Sequence, residues 1–198
     1  MPQLDPPDDA ELLRLVWSPD DFENGVLQPG AFSRSDLMGD PKLAVSVDRS
    51  DCLVPAAVRC VACRQRSKAK RKLAELAPGQ EPPKNAPVKD EALGAFLITE
   101  DLRNMVIDYE KSRYQPLDVE ADAVPAGGEA CPLENPAHCL IRNARGPKTR
   151  GFAHAIRVKL AAMSHDIDFI EEILGRHGEA RLQPHDPEQC EGPGSVPR

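Results

Sequence analysis

One ten-residue stretch, residues 134–143, constrains the fold of this chain most, because it joins a turn signal to an alternating apolar pattern. Its Asn135-Pro136 pair predicts a turn, since proline fixes its own φ and moves the preceding residue out of the helical region. Beyond the turn, successive residues point to opposite faces of an extended strand. One face carries Ala137, Cys139 and Ile141, and the other carries His138, Leu140 and Arg142. The stretch therefore predicts a half-buried β-strand that holds His138 away from the core.

Other segments are also predicted to be strands. Alternating and β-branched residues predict a strand in residues 42–48. A short apolar run bounded by turn-compatible residues predicts a central strand in residues 93–99, and we expect another strand in residues 114–119. Residues 11–17 fit either a buried strand or a short helix. The Asn24-Gly25 pair predicts a turn and a hairpin-like layout around it.

Three segments are predicted to be helical. Alanines and long basic side chains favour a helix over residues 53–76, and a second helix is predicted over residues 100–111. Apolar residues spaced by three or four between Phe152 and Leu174 predict one long helix, or two helices with a break near residues 164–166.

We expect a single α+β domain over residues 11–178, with a small, mostly antiparallel sheet and helices packed on it. A length of 198 residues suits one such domain. The proline-rich residues 77–92 predict a flexible loop, and residues 1–10 and 179–198 predict a disordered arm and tail. Because aromatic residues make up only 4% of the chain, the core has to be built from aliphatic side chains.

The net charge of −7 excludes a protein that attracts nucleic acid over its whole surface, so any contact with phosphate backbones must be local. The sequence has no apolar run of about 18 residues, the length that predicts a membrane span. The acidic, proline-rich N-terminus is unlike a secretory signal. We therefore expect a cytoplasmic protein with reduced cysteines.

A basic run in residues 59–72 predicts a charged helix surface on this acidic chain. Seven side chains form it: Arg59, Arg64, Arg66, Lys68, Lys70, Arg71 and Lys72. Such a patch suits an acidic protein partner, or local contact with nucleic acid through the release of counterions. The lack of interleaved aromatic residues for base stacking favours the protein partner. A solvated helix that neutralises nearby carboxylates is the remaining alternative.

Cys60 and Cys63 have the two-residue gap of half a zinc site, and Cys131, His138 and Cys139 are available as further ligands. The spacing of Cys131 and Cys139 is wrong for a second pair of this kind. The first pair also lies in a helix-prone stretch, so buried or surface thiols are the expected state and no metal site is predicted.

His138 is the residue best suited to proton transfer, because an imidazole acts as acid, base or ligand near neutral pH. A structural histidine that is satisfied within the core is the alternative. The sequence contains no standard motif for nucleotide hydrolysis, dinucleotide binding or serine hydrolysis. This absence counts against several large enzyme classes.

Four short motifs stand in a recognisable order, in residues 13–15, 30–32, 43–47 and 135–138. In this order they resemble a family of small uncharacterised bacterial proteins whose chains run L-x-R, A-F, L-S-V and then N-P-A-H-x-x-I. The resemblance covers residues 11–143, with a loose fit to the third motif and an apparent insertion in residues 60–90. It implies an organisation of the chain and no mechanism.

Arg14, Ser46 and Glu134 also stand in the order of three residues of ADP-ribosyltransferase-like folds. That resemblance implies NAD as a cofactor, with Arg14 holding its phosphate charge. It implies further that Ser46 shapes the nicotinamide pocket and that Glu134 polarises the ribose. The enzyme hypothesis that we build on it adds Phe32 to the pocket. The proton or ribose chemistry would fall to His138 or Glu134.

These observations support two functions. The first is a non-catalytic interaction or accessory protein, which binds its partner through the basic helix and the late amphipathic helix. The alternative is an NAD- or nucleotide-using enzyme, in which Arg14, Ser46 and His138 share one concave site.

Overall fold

A six-stranded antiparallel sheet forms the centre of this protein in its computed structural model, which describes residues 5–40, 42–75, 89–127 and 133–176. In chain order the elements are β1 (Glu11–Pro19), β2 (Phe22–Glu23), β3 (Val26–Leu27), β4 (Val45–Arg49), α1 (Pro55–Ala74), β5 (Lys89–Ile98), α2 (Thr99–Arg103), β6 (Ile107–Tyr109), β7 (Ser112–Tyr114), β8 (Leu117–Ala121), β9 (His138–Asn143), α3 (Arg150–Met163), β10 (His165–Phe169) and α4 (Ile170–Arg176). The strand order in the sheet is β10-β5-β1-β4-β9-β8, and β2-β3 and β6-β7 are separate hairpins. The predicted α+β domain with a mostly antiparallel sheet is confirmed.

Local sequence signals explain several element boundaries. Pro55 is the first residue of α1, where its fixed φ suits the helix and its missing N–H is not needed. Thr149 caps α3, because its hydroxyl accepts the N–H of Phe152 at 3.2 Å. The β2-β3 hairpin turns at Asn24 and Gly25, whose φ angles of 52° and 78° are those that this residue pair favours.

The sheet has two faces with different coverings. The first, which we call the α3 face, packs Leu12, Val47 and Ile141 against Phe152 and Ile156 of α3. The second, the α1 face, packs Leu13, Trp17 and Phe96 against residues of α1 and α4. Towards β4, β9 and β8 the α1 face becomes polar and partly exposed. Its side chains there are Ser46, Asp48, Asp118, Glu120, His138, Leu140 and Arg142.

The strand in residues 42–48 and the helix in residues 53–76 are confirmed as β4 and α1. The alternation predicted for residues 134–143 is also confirmed, since Cys139 and Ile141 are buried while His138, Leu140 and Arg142 are partly exposed. The helix predicted over residues 100–111 is wrong beyond Arg103, because α2 covers only Thr99–Arg103. The β6-β7 hairpin follows instead, because Ile107 and Tyr109 favour strands over helix.

The late helical stripe is interrupted as predicted, but the interruption is a strand. The chain leaves α3, forms β10 and then enters α4. In β10 the apolar and aromatic residues His165, Ile167 and Phe169 alternate with two aspartates, so the same residues fit a period of two as well as a helical period. Pairing with β5 selects the strand.

Residues 5–10, which were expected to belong to a disordered arm, are docked on the domain. The carboxylate of Asp5 accepts the main-chain N–H of Ala121 in β8 at 3.0 Å. Arg103 forms an ion pair with Asp8 and donates to a main-chain carbonyl of the arm. The start of α2 donates two main-chain N–H groups to the arm. These partners lie about ninety or more positions away, so the local composition does not reveal them.

The predicted flexible loop differs at its end, because residues 89–92 belong to β5. Residues 77–88 and the predicted tail, residues 179–198, lie outside the described residues. Among the helices that are described, none combines the length and the apolar character needed to cross a membrane.

Candidate functional site

Arg14 lies in β1 and ties three parts of the main chain together. Only Leu12 and Leu13 of β1 pair with β4, so the two strands separate beside Arg14. The guanidinium fills this gap: Nη1 donates to the carbonyl of Ser46 at 2.8 Å, and Nη2 and Nε donate to the carbonyl of Ala31 at 3.0 and 3.3 Å. Burial lowers the pKa of the Arg14 guanidinium. Each of its nitrogens therefore already serves a structural hydrogen bond.

The other residues implied by the resemblance to ADP-ribosyltransferase-like folds are divided between the two faces of the sheet. Phe32 is fully buried in the core on the α3 face. The side chain of Ser46 is exposed on the α1 face, and Glu134 is exposed just before β9. Ser46 and His138 thus share a face, whereas Arg14 and Phe32 belong to the other side.

His138 belongs to a cluster that the sequence did not predict as a unit, consisting of Asp48, Asp122, Asn135 and His138. Nδ1 of His138 lies 2.8 Å from the main-chain carbonyl of Asp122 and 3.2 Å from its carboxylate. A carbonyl oxygen can only accept, so Nδ1 must carry the proton in this contact. The neutral imidazole then has an unprotonated Nε2, which is the form that can accept a proton from a ligand.

Asp48 faces His138 across the β4-β9 pair. Its carboxylate accepts the side-chain amide of Asn135 at 2.7 Å, and the Asn135 oxygen accepts the N–H of Ala137 at 3.2 Å. Burial raises the pKa of Asp48, and the Asn135 hydrogen bond and the charges of His138 and Arg14 oppose that rise. The Asn135-Pro136 turn therefore has a second role, since it holds a partly buried carboxylate beside the imidazole.

The sequence identified the turn and His138 but missed Asp48 as their partner. The available signal was weak: Asp48 falls on the polar side of an alternating strand, where a carboxylate is ordinary. The partnership depends on the register that places Asp48 opposite His138, ninety residues later in the chain. Local sequence patterns do not contain that register.

The thiols give no sign of a metal centre in the described parts of the chain, where no group of three or more potential ligand residues is close enough to hold a metal ion. Cys60 is buried and Cys63 partly exposed on α1. Cys139 is buried on β9, and burial raises the pKa of its thiol to about 12. Cys131, the other suggested ligand, lies outside the described residues.

The first half of α1 anchors the helix to the domain. Arg59 forms an ion pair with Glu171 of α4 at 2.6 Å. The indole N–H of Trp17 donates to Gln65 at 3.0 Å, and the guanidinium of Arg66 lies 5.6 Å from the centre of the Trp17 ring. Arg59 and Arg66 of the basic run are therefore engaged with the body of the protein.

The basic residues in the last turns of α1 differ from Arg59 and Arg66 because their side chains are exposed to solvent. Four of them have exposed side chains, namely Lys68, Lys70, Arg71 and Lys72, which we call the basic end of α1. As far as the structure describes the chain, these four side chains make no ion pair and no hydrogen bond. The opposite side of the helix packs small residues, including Ala62 and Ala69, against the domain. The basic end is thus presented to solvent by a helix that is fixed elsewhere.

The late amphipathic helix is used inside the domain. In α3 the apolar stripe of Phe152, Ile156 and Leu160 is fully buried in the core on the α3 face. A partner cannot reach this stripe without opening the core. Of the two binding surfaces predicted from the sequence, only the basic helix is exposed.

No family model matches the chain, and the searches of curated proteins and of solved structures return no significant match. The two resemblances drawn from short motifs therefore stay predictions. Two surfaces are the candidates for catalysis or binding: the cluster around His138 and the basic end of α1.

Proposed function

We propose that this protein is a non-catalytic interaction protein that binds an acidic protein through the basic end of α1. The observation that carries the proposal is the set of four exposed cations, which form no ion pair with the residues that the structure describes, on a chain whose net charge is −7. A protein of this charge repels acidic molecules over most of its surface. A local positive patch then selects both the partner and the way in which it approaches.

The position of the patch also fits a binding role better than a stabilising one. Charges that stabilise a fold are usually paired, as Arg59 is paired with Glu171. Arg71 and Lys72 do lie in the last turn of α1, where positive side chains interact favourably with the helix dipole. That effect reaches only the last turn, so Lys68 lies outside it. The cation at this position is therefore better explained by an external ligand.

The NAD-using alternative has one supporting feature: Nδ1 of His138 contacts the carbonyl of Asp122, so Nε2 is the ring nitrogen that could accept a proton when the imidazole is neutral. It lacks a free group for phosphate, because every nitrogen of Arg14 donates to a main-chain carbonyl. Asp48 and Asp122, the carboxylates beside His138, would repel the phosphates of NAD. Incubation with NAD tests this alternative, and nicotinamide release that is lost in His138→Ala would support it.

The proposal is tested with fluorescently labelled poly-L-glutamate, whose binding is followed by anisotropy at increasing salt. The variant Lys68→Glu/Lys70→Glu/Arg71→Glu/Lys72→Glu turns attraction into repulsion at the whole basic end. Because opposite charges at the edge of an interface act mainly by raising the association rate, we expect this reversal to weaken binding by at least about tenfold. Wild-type binding should also weaken as salt shortens the range of the interaction.

A matched variant separates this surface from net charge. Lys42, Lys111, Arg150 and Lys159 are exposed basic residues elsewhere on the domain, and reversing all four changes the net charge equally. This control variant should bind poly-L-glutamate much more tightly than the basic-end variant. Equal weakening by the basic-end variant and the control variant would contradict the proposal. So would a competition in which duplex DNA displaces the labelled poly-L-glutamate at a lower concentration than an unlabelled acidic polypeptide does.

A further inference from the structure

The basic end of α1 is not uniform around the helix, and its geometry specifies the partner more closely than its charge does. Resting on the proposed function, we infer that the partner is an acidic helix with carboxylates at positions i, i+3 and i+4, lying antiparallel to α1 along one flank. That flank consists of Lys68, Arg71 and Lys72.

Helix geometry places these three side chains together. Successive residues are rotated by about 100° and rise by about 1.5 Å, so Arg71 and Lys72 lie about 60° and 40° to either side of Lys68 and one turn beyond it. All three are exposed. They form a triangle of cations roughly one turn long. A second helix with acidic residues at i, i+3 and i+4 presents the same triangle in carboxylates.

Lys70 lies on the other flank of α1. Its rotation from Lys68 is about 160°, with the buried residues Ala62 and Ala69 facing the domain between the two. Arg66, one turn before Lys70 and on the same flank, lies over the ring of Trp17. The Lys70 flank therefore carries one exposed cation of the basic end, whereas the flank of Lys68, Arg71 and Lys72 carries three.

The orientation of the partner follows from the helix dipoles. α1 ends at Ala74, and two of its three cations, Arg71 and Lys72, lie in the last turn, close to the end that carries partial negative charge. Acidic residues are most stable near the N-terminal, partially positive end of their own helix. An acidic helix therefore makes the more favourable approach with its N-terminus beside the C-terminus of α1, which is the antiparallel arrangement.

Two peptides of identical composition test the inference. Each is an alanine-rich helix of about 20 residues, long enough to be helical in water, with three glutamates near its N-terminus. One peptide places the glutamates at i, i+3 and i+4, and the other spreads them round the helix at i, i+1 and i+6, about 100° or more apart. We expect the first to bind the full-length protein at least about fivefold more tightly, by the energy typical of exposed ion pairs.

Lys68→Glu and Lys70→Glu are a matched pair of variants, since both replace an exposed lysine of the same helix. Lys68→Glu should weaken binding of the first peptide by about fivefold or more, and Lys70→Glu by less than about twofold. Circular dichroism confirms that each variant keeps its helix. Equal effects of the two substitutions, or equal binding of the two peptides, overturns this inference while leaving an acidic partner in place. Failure of both peptides and of poly-L-glutamate to bind would overturn the proposed function as well.

Discussion

Replacement of Arg14 by methionine should destabilise the fold, because the guanidinium supplies hydrogen bonds that no neighbouring group can replace. Its three contacts reach the carbonyls of Ala31 and Ser46, where β1 and β4 have separated. Hydrogen bonds to a charged group contribute about 1.5–3 kcal/mol each, and burial of the methionine side chain returns part of the loss. We expect a net loss of about 3 kcal/mol, a large fraction of the roughly 5–15 kcal/mol of a typical domain.

Urea unfolding followed by the fluorescence of Trp17 measures this loss. With a denaturant dependence of about 2 kcal/mol per molar urea, the midpoint should fall by about 1.5 M. Arg113→Met is the control, since Arg113 is exposed and lies 3.9 Å from its nearest carboxylate, so its loss should cost less than about 0.5 kcal/mol. An Arg14→Met protein that unfolds at the wild-type midpoint, yet loses an NAD-dependent activity, would refute the structural role and favour the enzyme hypothesis.

Three further experiments test other parts of the structure. Burial raises the pKa of Asp48 above its value in the unfolded chain, so ionisation of Asp48 lowers the free energy of unfolding as pH rises through the folded pKa. Asp48→Asn should therefore raise the free energy of unfolding at pH 7 and leave it unchanged near pH 3. Urea titrations at the two pH values measure both effects. Gly146→Ala should lower the free energy of unfolding by about 2 kcal/mol, because the added methyl collides with the ring of Phe152 and lies 2.6 Å from Asn143 Oδ1. Gly175 has open space around it, so Gly175→Ala should not destabilise the protein. Thermal melts compare the two variants. A double-mutant cycle on Arg59 and Glu171 should give a coupling of about 0.5 kcal/mol, and a value near zero would show that the pair does not anchor α1.

The sequence predicted those features of the fold that local patterns determine. The alternation in β9 and the turn before it were visible, because a half-buried strand and an Asn-Pro pair each leave a period or a residue signature. The helix α1 was visible through propensity and through Pro78-Gly79 beyond its end. These elements needed no knowledge of distant partners.

The missed elements depend on contacts that are distant in sequence or on turns without a signature. The β6-β7 hairpin turns at Glu110 and Lys111, whose φ angles of 48° and 67° are usually left to glycine or asparagine. The strand β10 fits a helical period equally well until it pairs with β5. The cluster around His138 was missed for the same reason, because Asp48 and Asp122 reach it only through the register of the sheet.

The most direct test of the account is a map of where an acidic ligand binds. ¹⁵N-labelled protein titrated with poly-L-glutamate at low salt gives that map through amide chemical-shift changes. The account predicts that the changes concentrate in the last turns of α1, around Lys68, Arg71 and Lys72, and that they leave Asp48 and His138 unaffected. Changes centred on His138, or the absence of changes in α1, would contradict it.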